Sequence, residues 1–304
     1  MSGKAVLVTG ARGLIGHVVR KRLEARGTRV IPVDLVDRAQ DGSEIITCDL
    51  TDIHRLHAVV HGQELGGIVH CGAFSGPMVM QDNPYAIVRV NILGTANILE
   101  LARIHGKPRV VFCSSTSAYG STPEGPVPED VALFPSSVYG ASKVAGEQLV
   151  SSYSRQHGLD GVSLRLSWVY GPGRTTDCLI RTLIQDALAG RTTRHPFGRS
   201  FHRQYIHVDD AAGAPNTALD KPHLPRQSYT VTGGSFLTLA EVAEAVRRVL
   251  PGAQFEFGEG PDPVDDVQRQ FDISAATRDL GYKPSISLEE GIRSYAEFLR
   301  GRAA

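Results

Sequence analysis

The chain has 304 residues, with 32 Lys and Arg against 32 Asp and Glu, so its formal net charge is zero. That length suffices for one large or two smaller domains, the charge balance gives no basic field for a nucleic acid, and no apolar run approaches the roughly 18–20 residues that span a bilayer. The start of the chain shows no leader pattern, and Cys48, Cys71, Cys113 and Cys178 lack CxxC spacing, so a cytoplasmic protein without disulfides is expected.

Ala5–Val8 reads as a first strand and Leu14–Arg26 as an amphipathic helix. Between them Gly10, Gly13 and Gly16 form a GxxGxxG turn. Glycines there permit a tight turn, close approach of a pyrophosphate and close helix–strand packing, while the helix N-terminus offers free N–H groups to phosphates. Arg12, Leu14 and Ile15 belong to the same candidate phosphate-binding turn. A second strand, Arg29–Val33, delivers Asp34, 18 residues after Gly16, where a carboxylate can accept from adenosine ribose hydroxyls. A carboxylate repels a 2′-phosphate, so NAD is expected over NADP, although Arg12 and Arg38 lie nearby in sequence. Cys48-Asp49-Leu50 closes a third strand, and Asp49 either reaches the adenine amino group or caps the helix over Ile53–Val60. His54, His57 and His61 share one face of that helix and read as a solvated flank, not a metal site.

Further strands are expected at Gly67–His70, Arg109–Cys113 and Val162–Leu166, with helices over Pro84–His105 and Val138–His157 and an irregular proline-rich loop at Thr122–Asp130. Alternating strands and helices predict a doubly wound α/β fold with a parallel sheet. Beyond Gly171-Pro172-Gly173 the rhythm changes. A helix over Asp177–Ala189, a strand over Gln204–Val208, a helix capped by Asp209-Asp210 and a strand over Ser228–Thr232 are expected. Thr238 with Glu241, and Ser287 with Glu290, have capping-box spacing ahead of the last two helices. These signals suggest a doubly wound domain over residues 1–172, rejoined by 205–232, and a smaller α/β domain from 173–204 and 233–304.

Tyr139 and Lys143 stand one turn apart at the start of a predicted helix, so an ammonium can reach the phenol and a bound ribose together. The ammonium and a cationic nicotinamide ring both favour the phenolate, making Tyr139 a candidate acid–base group. Ser115 ends the strand that starts at Arg109, within Phe112-Cys113-Ser114-Ser115-Thr116, at the carboxyl edge where parallel sheets bind ligands. Cys71 and Cys113 read as small core residues.

The order of these motifs resembles the extended short-chain dehydrogenase/reductases, the NAD-dependent epimerase/dehydratase family. The resemblance runs through Thr9–Gly16, Asp34, Asp49-Leu50, His70–Ala73, Asn91 with Gly94-Thr95, Ser114-Ser115, Tyr139–Lys143, Arg165, Tyr170–Gly173, Arg203 and Val208–Asp210 to Leu280–Pro284 and Leu288–Ile292. It implies a Rossmann-type domain beside a small substrate domain, NAD, hydride transfer at a secondary alcohol, and a homodimer built on the two helices Pro84–His105 and Val138–His157. Ser115, Tyr139 and Lys143 fall on the family's catalytic triad, and Asn91 falls where members carry a structural or proton-relay asparagine near the cofactor.

The chain also departs from the pattern. Trp168 stands where UDP-galactose 4-epimerases carry a diphosphate-binding asparagine, and Gly260–Asp266 is acidic where a second family arginine is usual. Arg203 survives as a candidate anion partner. Thr116-Ser117 replaces the Asp-Glu of dehydratases. Gly173–Asp177, with Arg174, is similar to a segment of L-threonine dehydrogenases, and Ser75 follows an unusual His70-Cys71-Gly72-Ala73. Substrate contacts are therefore expected from Ser75, Ser115, Thr116, Trp168, Arg174 and Arg203. The leading expectation is an epimerase-like enzyme of a sugar or nucleotide sugar. Its rival is a simple dehydrogenase of a small sugar, sugar acid or hydroxy amino acid. A non-catalytic dinucleotide-binding protein fits poorly with an intact Ser115/Tyr139/Lys143 set.

Overall fold

A computed structural model describes residues 3–303. Its first half runs β1 (Ala5–Thr9), α1 (Leu14–Ala25), β2 (Arg29–Asp34), β3 (Ile46–Thr47), α2 (Ile53–Val60) and β4 (Leu65–His70). Next come α3 (Pro84–Ile87), a π-helical turn over Val88–Leu93, α4 (Gly94–Ile104), β5 (Arg109–Ser115) and α5 (Val138–His157). The chain continues through β6 (Gly161–Leu166), β7 (Trp168–Tyr170), α6 (Leu179–Leu188), β8 (Thr192–His195), β9 (His202–Arg203), β10 (Tyr205–His207) and α7 (Val208–Asp220). It closes with β11 (Ser228–Val231), β12 (Leu237–Thr238), α8 (Leu239–Val249), β13 (Gln254–Phe257) and α9 (Leu288–Ala303).

Seven strands form one parallel sheet in the order β11-β6-β5-β4-β1-β2-β3. The short Val-rich strands belong there because both faces are covered. In β1, Val6 and Val8 enter the core beneath α1 and α7, whereas Ala5 and Leu7 enter the one beneath α2, α4 and α5. The chain runs outward from β1 in one direction through β2 and β3, and from β4 in the other. The crevice between the carboxyl ends of β1 and β4 is thus the switch point at which such sheets bind ligands. A separate core joins α6, α8 and α9 through Leu183, Ile184, Val242, Val246, Ile292 and Tyr295. Both capping boxes ahead of α8 and α9 form.

Several expectations change. The single helix over Pro84–His105 is interrupted by the π-helical turn, which contains Asn91. Asp210 does not cap α7; it accepts from the N–H groups of Ser285 and Ile286 and so ties the C-terminal segment to that helix. Residues 233–304 do not all belong to the smaller unit either. Ala275, Ala276, Leu280 and Tyr282 pack in the core of the large sheet.

The strands and helix that carry the candidate catalytic groups meet at one buried ion pair. Arg165 on β6 donates from Nε and Nη2 to Glu147 on α5, at 3.0 and 2.7 Å. Its Nη1 donates to the Glu129 carbonyl at 2.7 Å. Glu147 also accepts from Ser114 at the end of β5, at 2.5 Å. The guanidinium lies 4.6 Å from the Tyr119 ring centre. Arg165 and Glu147 are both almost fully buried. Removing one partner strands a charge, at a cost of about 3–5 kcal/mol, whereas an apolar pair of similar volume avoids that penalty. Arg165→Met is expected to lower the unfolding free energy by that amount in urea titrations, and Arg165→Met/Glu147→Leu to recover much of the loss.

Candidate active site

The turn after β1 is built for close approach. Gly10 has φ +63°, and a Cβ there would stand 2.8 Å from Gly72 Cα at the end of β4. A Cβ on Gly16 would collide with the Gly10 carbonyl oxygen, so only glycine lets α1 start against the turn. Gly13 at the N-cap offers no side-chain oxygen, and no acid lies in the first turn of α1. The N–H groups of Leu14, Ile15 and Gly16 are therefore free for an anion.

Two cavities open from this turn. One, about 450 Å³, is lined by Gly10, Arg12, Asp34, Asp49 and Leu50. Asp34 is held rigidly there, accepting from the N–H of Arg12 at 2.9 Å and of Leu35 at 2.7 Å. Asp49 Oδ1 accepts from Thr51, while Asp52 caps α2, so Asp49 is not the cap. Arg38 points away, donating to the Gly42 carbonyl and approaching Glu44. A carboxylate fixed in this way, with Arg38 turned from it, suits the ribose hydroxyls of NAD. Gln40, which the sequence did not single out, donates to the Gly173 carbonyl at 3.0 Å and ties this cavity's rim to the Gly171–Gly173 loop.

The second cavity, about 300 Å³, brings together Gly13–Gly16, Ser115, Tyr139, Lys143, Trp168 and Arg174, and Ser75 and Thr116 also line it. Ser137 caps α5 by accepting from the Gly140 N–H at 3.0 Å. A side chain at Gly140 would collide with the Ser117 carbonyl, so glycine lets α5 begin against the turn that follows β5. That contact sets Tyr139 beside the end of β5. The Tyr139 hydroxyl lies 3.5 Å from Ser75 Oγ. Lys143 Nζ is 5.7 Å from the Tyr139 ring centre and donates to the Cys113 carbonyl at 2.8 Å. Ser115 Oγ accepts from the Ser117 N–H at 3.1 Å, leaving its own proton to donate to a substrate oxygen. Cys113 lies in the core and Cys71 packs against it, as expected, and both also line this cavity, with sulfurs 3.4 Å apart.

Two expected contacts lie elsewhere. Asn91 is buried behind the wall and does not line either cavity. Its Oδ1 accepts from the Phe74 N–H at 2.9 Å, and its Nδ2 donates to the Phe74 carbonyl and to Ser142 Oγ, each at 3.0 Å. It positions the loop carrying Ser75 against α5. Arg203 is likewise no open anion site. It is 8 % exposed, lies 4.1 Å from the Trp168 ring centre, and donates to Asp265 at 3.0 Å and to Asp262. The acidic segment at residues 260–266 already neutralises it.

His70, quoted in the motif but given no role, proves to be a buried brace. Its Nδ1 meets Thr9 Oγ1 at 2.7 Å and its Nε2 meets Thr95 Oγ1 at 3.0 Å. Burial, with a smaller contribution from the Lys143 charge, pushes its pKa down from 6.5 to about 3. The ring is therefore neutral and locks β1, β4 and α4 together beneath the cofactor turn. Only the two threonines, far apart in sequence, reveal this role.

A Rossmann-type sheet with a glycine turn at its switch point, a fixed carboxylate at the end of β2 and a Ser/Tyr/Lys set in one cavity is the arrangement of an NAD-dependent short-chain oxidoreductase. The model of the "NAD dependent epimerase/dehydratase family" matches residues 6–231, and the chain belongs to that family. It is therefore an enzyme, and its cofactor is NAD. It is 32 % identical to the UDP-glucose 4-epimerase of Mycolicibacterium smegmatis over 98 % of this chain and 99 % of that one. Identity to UDP-glucuronate 4-epimerase 4 of Arabidopsis thaliana is 28 %, over 98 % of this chain and 75 % of the relative. The structure of Thermus thermophilus UDP-glucose 4-epimerase in complex with NAD superposes with a TM-score of 0.86 at 29 % identity, covering 98 % of this chain and 99 % of that one.

Two measurements check this geometry. Charge-assisted hydrogen bonds contribute about 1.5–3 kcal/mol, so Asp34→Ala is expected to weaken NADH binding about tenfold to a hundredfold. Fluorescence titration should also show a smaller preference over NADPH. His70 binds its proton in the unfolded chain below about pH 6.5 but in the folded protein only near 3. The unfolded state thus takes up more protons across that window, and stability falls as pH drops through it. Thermal unfolding from pH 7 to 4 is expected to show that fall, with a shallower slope in His70→Gln.

Proposed function

We propose that the enzyme epimerises a sugar at a secondary alcohol, by withdrawing hydride from a ring carbon and returning it to the opposite face. The observation that carries this reading is the convergence of Ser115, Tyr139, Lys143 and Ser75 in the cavity bounded by the Gly13–Gly16 turn. Bound NAD supplies the acceptor and then the donor of hydride. The first turn of α1 would hold its phosphates, Asp34 its adenosine ribose, and Lys143 the ribose nearer the reacting carbon. Tyr139 takes the proton of the substrate hydroxyl, and Ser115 donates to the same oxygen as it becomes a carbonyl. When the ketone has turned over within the cavity, Tyr139 gives its proton back. Ser75, within reach of the Tyr139 hydroxyl, keeps the phenol aimed at that oxygen. The relatives reported above are named as 4-epimerases, which supports reaction with no net change of redox state.

We further propose that two copies pair through α3, the π-helical turn, α4 and α5, where Tyr85, Val88, Leu93, Ile104 and Val138 expose apolar surface. Among the described residues no helix is long and apolar enough to cross a membrane. The four free cysteines support a cytoplasmic setting.

Loss of a positioned acid–base group costs about 10²–10⁴-fold in rate. Tyr139→Phe is expected to lose turnover by that factor while NAD titrations remain unchanged. Wild-type reactions should yield the epimer by NMR without accumulating NADH at 340 nm; steady NADH production with the same sugar would sink the epimerase reading. For the dimer, Leu93→Glu/Ile104→Glu is expected to elute as a monomer in size-exclusion chromatography with light scattering, where the wild type elutes as a dimer.

A further inference from the structure

Ser167 Oγ is buried and has no hydrogen-bond partner. It sits on the wall between the catalytic cavity and a small space behind Trp168. That space is about 10 Å³, room for about one water molecule. Arg203 borders it, but its guanidinium is covered by Trp168 and bound by Asp262 and Asp265. Asp266 borders it as well. A substrate tail bearing two phosphates has neither volume nor free positive charge in this direction, and meets carboxylates instead.

Arg174 offers the opposite environment. It lines the catalytic cavity itself, 6.0 Å from the Trp168 ring centre. Its Nη1 donates to the Val169 carbonyl, and its Nε and Nη2 to the Asp177 carbonyl at 3.3 and 2.8 Å. Those bonds fix the group without neutralising it. Three of the five guanidinium N–H donors are engaged, leaving two for an incoming anion. No Asp or Glu lines this cavity, and its other cation, Lys143, is placed to serve Tyr139.

We propose that the substrate is a monosaccharide acid, a single sugar bearing one carboxylate, with the carboxylate on Arg174 and a sugar hydroxyl on Ser167 Oγ. The proposal rests on the acid–base role of Tyr139 and names the substrate class for that site. One guanidinium balances one carboxylate, whereas a phosphate monoester dianion would keep an unmatched charge in a partly closed cavity. A nucleoside diphosphate would have no partner beyond Trp168.

The test titrates NAD-loaded enzyme by calorimetry and thermal shift with glucuronate, galacturonate, glucose, glucose 1-phosphate, UDP and UDP-glucose. A uronate is expected to bind at least tenfold tighter than glucose, with UDP giving no shift. Arg174→Ala is expected to abolish the preference for uronate over glucose, Arg174→Lys to restore part of it, and Ser167→Ala, which removes no internal bond, to weaken uronate binding several-fold. Tighter binding of UDP, UDP-glucose or glucose 1-phosphate than of either uronate overturns the proposal, as does an unchanged uronate preference in Arg174→Ala. The reading beneath it fails separately. Uronate binding that depends on Arg174 but gives no product leaves this proposal standing without epimerisation, and Tyr139-dependent turnover of UDP-glucose alone does the reverse.

Discussion

A guanidinium sealed between a sheet and a helix has to be matched in charge and hydrogen bonds, and the way Arg165 is matched decides where the chemistry can happen. Glu147 anchors it to α5, the Glu129 carbonyl anchors it to the proline-rich loop, and Ser114 joins through Glu147. Glu129 in turn accepts from the Thr230 N–H on β11 at 3.1 Å. Ser115 is the residue next to Ser114, Tyr139 and Lys143 lie two turns and one turn before Glu147 on α5, and Ser167 and Trp168 come two and three residues after Arg165. One ion pair thus sets the relative positions of the candidate catalytic groups and of the wall facing them. A buried pair of this kind gives little net stability over an apolar substitute; its value here lies in the register it imposes.

Arg203 repeats the same physics to a different end. It too is buried and matched in charge, but its partners come from the acidic loop, and it closes a space where Arg165 frames one. Only Arg174, held by main-chain carbonyls and not by carboxylates, keeps its charge available to the cavity. Three arginines, alike in sequence, therefore do three different things because of what each one meets.

The readable parts of the sequence were those whose meaning is local. The glycine turn, Asp34 at its strand end, the Tyr139/Lys143 spacing and both capping boxes each act within one or two turns of chain, so their residue types announce them. What the sequence hid was tertiary. Nothing local separates the Arg203 that meets Asp262, 59 residues away, from an arginine awaiting an anion. Asn91 stands out in the sequence, but its bond to Phe74 is made from a π-helical turn that has no compositional mark. The same holds for Asp210, which resembles a helix cap until Ser285 is brought beside it, and for His70, whose brace needs threonines on two other elements.

The lock around Trp168 hangs on two-residue strands and on loops outside the main sheet, whereas the candidate catalytic groups hang on the sheet and α5. Mutations can therefore remodel what the cavity admits while leaving the reaction centre undisturbed. Exchanges among Trp168, Asp262 and Asp265 would reshape that wall in evolution without touching the groups on β5 and α5.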